Sequence, residues 1–129
     1  MKASTMSSIR FHYLYRDGST YRKWADIVFL NPDDLPTEIV AKRLRAAFLE
    51  DGLFVAHQVR VLEVFLAAVD QLTSDDHCYH EFDTLHSTSD APNDLHGRSI
   101  SEFMVEVSRE ANRGWRDLQS PRQVGYMRL

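Results

Sequence analysis

The densest run of chemistry-bearing residues is Asp75-Asp76-His77-Cys78-Tyr79-His80-Glu81-Phe82-Asp83, with His86 just beyond. Imidazole, thiolate and carboxylate are the donors that a borderline cation such as zinc takes. One chemical reading is a small metal-dependent hydrolase or nuclease. His77 and His80 would hold zinc or another divalent cation, and Glu81 would act as base on a bound water. On a regular strand His77 and His80 point to opposite faces, so their spacing suits a loop-to-strand junction better. Neither a paired C-x-x-C nor a helical H-E-x-x-H is present. The competing structural reading packs His80 and Phe82 against a core and leaves the acids solvated. Cys78 is then a small buried hydrophobe, because neighbouring His77 points the other way and cannot serve as its base. His12 and His57, each in an expected strand, read as satisfied, partly buried histidines able to approach the acidic segment.

Charge is segregated along the chain. Residues 61–97 contain no Lys or Arg but eight acids: Glu63, Asp70, Asp75, Asp76, Glu81, Asp83, Asp90 and Asp94. The net charge of −4 therefore hides an acidic belt within a basic remainder. Such a belt is a solvated surface, a docking face for a basic partner, or an imitation of a phosphate backbone. As a binding face it would use Asp75, Asp76 and Asp83.

A second cluster lies near the N-terminus, where Arg10, Arg16, Arg22 and Lys23 alternate with Tyr13, Tyr15, Tyr21 and Trp24. Basic groups among aromatics suit single-stranded nucleic acid, but a hairpin needs the same aromatics for its buried face. The negative net charge also opposes phosphate. Arg16 and Tyr21 are retained as candidate binding residues. The glycines are scattered singly, and no phosphate loop or argued Ser-His-Asp order emerges.

These residues must be positioned by elements that the periodicity specifies. Ile9, Phe11, Tyr13 and Tyr15 alternate with Arg10, His12, Leu14 and Arg16, which predicts a strand. Asp17-Gly18-Ser19 is a turn signal, and residues 21–30 complete an antiparallel hairpin stopped by Asn31-Pro32. A helix is predicted over 36–50, with Pro36 in its first turn and Gly52 as its left-handed cap. Its buried stripe reads Leu35, Ile39, Leu44, Ala47 and Phe48. Residues 53–59 predict a third strand and 61–72 a short helix, although that valine-rich run also suits a buried strand. Residues 78–85 predict a fourth strand, with His80 and Phe82 on one face and Tyr79, Glu81 and Asp83 on the other. Residues 86–97 read as a loop. Ser99-Ile100-Ser101-Glu102 is a capping box opening a helix that Gly114 ends.

Hairpin, helix, further strands and helix together predict an α+β domain. About four antiparallel strands would carry two or three helices on one face. The expected organisation is a frayed lead-in over 1–8, one domain over 9–114 and an extended tail over 115–129. The 129-residue length and 43% hydrophobic fraction suit one globular domain with a core of its own. A single cysteine forbids an intramolecular disulfide, and the polar start lacks a secretory leader pattern. Both point to a reducing, cytoplasmic setting. No apolar run reaches the length of a membrane span.

The run Phe11-His12-Tyr13-Leu14-Tyr15-Arg16-Asp17-Gly18-Ser19-Thr20-Tyr21-Arg22-Lys23, with Phe54 and His80-Glu81-Phe82 downstream, resembles a family of small uncharacterised bacterial proteins. The family pattern is a Tyr-Arg-Asp-Gly…Tyr-Lys hairpin followed by His-Glu-Phe, and it covers roughly residues 9–86. The resemblance implies a bacterial cytoplasmic origin and carries over no catalytic residue. It also implies that Asp17 and Gly18 form a structural turn. Small proteins of this kind occur beside toxin–antitoxin, restriction and phage-defence genes, an association that names no mechanism.

With no complete catalytic set, the sequence favours a non-enzymatic interaction or regulatory protein without a cofactor. It would bind a protein partner through its acidic face or its sheet surface. Nucleic acid is disfavoured, no membrane is implied, and an unprotected sheet edge invites a homodimer.

Overall fold

The structure, a computed structural model, describes residues 7–16, 22–64 and 79–115. Strands β1 (Ser8–Arg16) and β2 (Arg22–Leu30) pair antiparallel in unbroken register, from Ser8 opposite Leu30 to Arg16 opposite Arg22. β3 (Leu53–Val55) and β4 (Tyr79–Thr88) complete a four-stranded antiparallel sheet of order β2-β1-β4-β3. Two helices, α1 (Thr37–Ala47) and α2 (Ile100–Arg113), pack on its inner face. The expected α+β architecture is therefore present, with the aromatic side of the hairpin turned inward.

Phe11 is the hub of that inner face. Its ring meets those of Tyr13 at 5.4 Å, Phe29 at 6.3 Å, Phe54 at 5.9 Å, Phe82 at 5.4 Å and Phe103 at 5.2 Å. All four strands and α2 thus converge on one buried side chain. α1 joins them through Phe48, just past its end, which stacks on Phe54 at 4.7 Å.

Both halves of the predicted capping box form. The Ser99 hydroxyl accepts from the Glu102 amide, and the Glu102 carboxylate accepts from the Ser99 amide. Ile100, Phe103, Met104 and Val107 then face the core, and Gly114 terminates α2 at a φ of 97°.

Elsewhere the structure corrects the periodicity. α1 stops at Ala47 rather than residue 50, and Pro36 is its N-cap rather than part of its first turn. Asn31 organises this start: its side chain accepts from the Leu35 amide and donates to the Leu35 carbonyl. Val40 and Leu44 are the buried helical residues, while Ile39 is 42% exposed. Gly52 does not cap α1 but lies in a separate 3₁₀ turn, at a φ of 75°. There a β-carbon would stand 3.3 Å from the Phe82 carbonyl oxygen, so both the backbone angle and the space favour glycine.

The third strand ends at Val55. Ala56–Val59 turn into a 3₁₀ segment closed by Arg60 in the left-handed region, which places His57 in a turn rather than a strand. Residues 61–64 are not helical, because their amides serve other partners. Val61 donates to the Ala56 carbonyl and Val64 to the His80 ring. The remainder of the predicted 61–72 helix lies outside the described residues, as do the 17–19 turn and residues 1–6.

β4 runs beyond residue 85 to Thr88, where a loop was expected, and carries a bulge. Tyr13 pairs with Phe82 but His12 with Thr84, so Asp83 is the extra residue. The bulge reverses the inside–outside parity of the strand. His80 and Phe82 face the core before it, Leu85 faces the core after it, and His86 is turned outward.

Trp115 docks at the start of the tail, its indole N–H donating to the Ala47 carbonyl at 3.1 Å. Residues 116–129 are outside the described set. Among the described residues, no helix is long and apolar enough to cross a membrane.

Candidate functional site

The predicted site residues separate when placed on the fold. His80 is fully buried, with its ring 6.0 Å from Tyr13, 5.3 Å from Tyr15 and 6.3 Å from Phe54. Its Nε2 accepts from the Val64 amide at 3.0 Å, which places the ring proton on Nδ1 and commits the Nε2 lone pair. Glu81 points to the opposite face, where its carboxylate receives two hydrogen bonds from the Arg16 guanidinium. The two residues therefore do not converge on one ion. No group of three or more His, Cys, Asp or Glu side chains among the described residues is arranged to hold a metal. His77, Cys78, Asp75, Asp76 and Tyr21 lie outside the described residues.

Arg16, Glu81 and Asp83 do come together, around a polar depression shared with Arg45, Asp51 and Phe82. Arg45 reaches across from α1, donates to the Asp83 carbonyl and lies 4.5 Å from the centre of the Phe82 ring. Two guanidinium groups and three carboxylates share this rim, so their charges nearly cancel.

The same neutralisation recurs along the described part of the acidic belt. Asp90 pairs with Arg10, Glu81 with Arg16, and Asp94 with Arg98. Segregation in the sequence becomes alternation in space, because the antiparallel pairing of β1 with β4 sets the basic strand beside the acidic one. Among the described acids of the belt, Asp83 is exposed and forms no ion pair.

An ion network that the sequence reading did not single out lies at the mouth of α2. Arg98, 6% exposed, donates to both Asp94 oxygens, to Glu106 and to the carbonyls of Val59 and Arg60. Its guanidinium stands 5.2 Å from the centre of the Phe103 ring. Arg60 closes the other side of Glu106 with two further hydrogen bonds. Burial opposes ionisation of Asp94, but the Arg98 hydrogen bonds, with the charges of Arg98 and His96, hold it below the ordinary carboxylate range. Glu106 is held low by the Arg60 hydrogen bond, against its own burial and with further help from Arg98. Every charge has a partner, and the network joins the segment after β3, the loop following β4 and α2. Its geometry is that of a structural clamp. The i,i+4 spacing of Asp94 and Arg98 was its only trace in the sequence.

The outer face of the sheet is different in kind. Arg10, His12, Leu14 and Arg16 of β1 project there beside Arg22, Trp24 and Asp26 of β2 and His86 of β4. His86 Nδ1 lies 3.2 Å from His12 Nε2, a hydrogen-bonded pair created by the β4 bulge. Tyr13 and Tyr15 are buried on the other side, as the alternation predicts, so these aromatics and the arginines do not share one surface. Burial, with the charge of Asp26, raises the Tyr13 hydroxyl well above its usual range, and it donates to the Leu62 carbonyl at 2.7 Å. Among the described aromatics named with the basic cluster, Trp24 alone shares the outer face with the arginines, and it is 54% exposed.

A groove of about 670 Å³ separates α1 and α2. Leu44, Ala47, Met104, Val107 and Ala111 supply much of its wall, and no histidine, cysteine or carboxylate is among the described residues that line it. Its described wall is therefore largely apolar.

Compared with known proteins, the chain matches no family model, no curated protein and no solved structure.

Proposed function

We propose that this chain is a non-enzymatic interaction protein that binds a protein partner through the outer surface of its sheet. Trp24 carries the reading: a large ring, more than half exposed, flanked by charged side chains on an edge strand. Exposed aromatic and arginine side chains on a rigid element are the residues that anchor interfaces. The internal pairing of Asp90, Asp94 and Glu81 directs the choice away from the acidic belt and towards the sheet. The single cysteine supports action in the reducing cytoplasm.

The test is native mass spectrometry on the full chain purified from its own host, beside two variants. We expect a heavier complex that Trp24→Ser loses and that the combined reversal of Asp75, Asp76 and Asp83 to lysine keeps. The opposite pattern moves the site to the acidic belt. A chain carrying one metal ion and no companion, with the ion lost in His77→Ala, replaces this reading with the hydrolase one.

A further inference from the structure

Among the described residues, β2 has β1 on one side and an incompletely covered edge on the other. Asn93 covers part of that edge: its amide donates to the Val28 carbonyl at 2.9 Å, and its side-chain oxygen accepts from the Val28 amide at 2.8 Å. Ser99 bridges Leu30 one step further on. Backbone groups alternate sides along a strand, so the amides and carbonyls of Arg22, Trp24 and Asp26 face outward with those of Val28. Among the described residues no hydrogen bond reaches these groups from that side. Among the described residues the open edge is therefore 22–26, and its midpoint is Trp24.

The side chains along this edge are charge-complementary to their own reversal. Arg22, Trp24 and Asp26 share the outer face and read basic, aromatic, acidic. We propose that the edge pairs antiparallel with a second copy of the chain, about a two-fold axis at Trp24. Each Arg22 then lies opposite the partner's Asp26, and the two Trp24 rings meet at the axis. About six main-chain hydrogen bonds form, two for each of the three outward-facing residue pairs.

The neighbouring registers are worse for identifiable reasons. An axis at Arg22 or at Asp26 sets like charges opposite each other, and an axis at residue 23 opposes two lysines. An axis at Ala25 brings Arg22 against Val28, where Asn93 already occupies the backbone. In the Trp24 register Lys23 faces the partner's Ala25, so its edge charge meets no like charge. The Arg10 guanidinium bonds one oxygen of Asp26 at 3.2 Å and leaves the other for the partner's Arg22. The product is one continuous eight-stranded sheet that presents two copies of the outer face. An edge contact of this length lies at the small end of protein interfaces, so the dimer is concentration-dependent.

This inference rests on reading the outer sheet surface as the site of interaction, but its test requires no other protein. Sedimentation velocity over a concentration series would compare the purified full chain with Arg22→Asp, Asp26→Arg, their equimolar mixture and the double variant. We expect wild-type self-association, weakened at least about tenfold in each single variant and restored in both the mixture and the double variant. Circular dichroism checks that each variant is folded. A wild-type chain that stays monomeric, single reversals without effect, or a mixture that fails to associate would each overturn the dimer. A monomer that still retains a host partner defeats this inference and leaves the proposed function standing. A dimer whose Trp24→Ser variant keeps its host partner does the reverse.

Discussion

The Arg98 guanidinium donates to Asp94, Glu106 and two backbone carbonyls, so its removal strands a buried carboxylate. Breaking a buried pair from one side costs about 3–5 kcal/mol, and Arg98→Met is expected to fall in that range by urea denaturation at pH 7. Asp94 and Glu106 both titrate below their ordinary range in the folded chain. The unfolded chain therefore takes up protons first as the solution is acidified. The stabilisation is fully present above the unfolded carboxylate range of about 4 and is lost as pH falls below it. The gap between wild type and Arg98→Met should accordingly narrow from pH 5 to pH 3. A gap that stays constant would show that the clamp does not depend on carboxylate ionisation. His80 is a second buried polar anchor. His80→Leu leaves the Val64 amide without its acceptor and is expected to cost about 1–3 kcal/mol, measured by the same denaturation.

At the scale of elements, α2 combines a reciprocal cap with an apolar stripe at 3.6-residue spacing, so local and tertiary preferences agree. Ser99→Ala should cost about 1 kcal/mol, and Ser99→Asp, which restores an acceptor, should recover most of it. Thermal unfolding of the two variants separates loss of the cap from a change in packing. β2 shows the opposite condition. Its pairing with β1 is complete, but among the described residues its other edge has one loop residue, Asn93, to cover Val28. The bulge at Asp83 has a physical signal: two polar residues, Asp83 and Thr84, separate inward-facing Phe82 from inward-facing Leu85 where strict alternation allows one. Alternation alone ends the strand at residue 85, which leaves His86 in a loop; the bulge and the extension to Thr88 set it beside His12.

At the scale of the molecule, Phe11 links both halves of the chain, and Phe11→Ala removes contacts to five rings on β1, β2, β3, β4 and α2 at once. The expected cost is about 3–5 kcal/mol, with a single cooperative transition moved to lower temperature in calorimetry. A loss below about 1 kcal/mol would show that the core repacks around the vacancy. The hairpin, the capped helix, the burial of His80 and Phe82 and the fold class were legible in the residues themselves. Each rests on interactions a few positions apart or on a two-residue alternation. The end of α1 and the shortness of β3 were less legible, because the chain there meets distant partners: Trp115 for the Ala47 carbonyl at the end of α1, and Arg98 for the Val59 carbonyl in the turn after β3. The acidic belt was a fact of the sequence and misleading about the described surface. Electrostatic pairing depends on distance in space, and the antiparallel return of β4 beside β1 sets Asp90 and Glu81 against Arg10 and Arg16. Sequence alone determined which residues alternate, cap and bury. Tertiary structure decided which charges cancel, which histidines meet and which strand lies at the edge of the described sheet, since each depends on long-range register that no local pattern encodes.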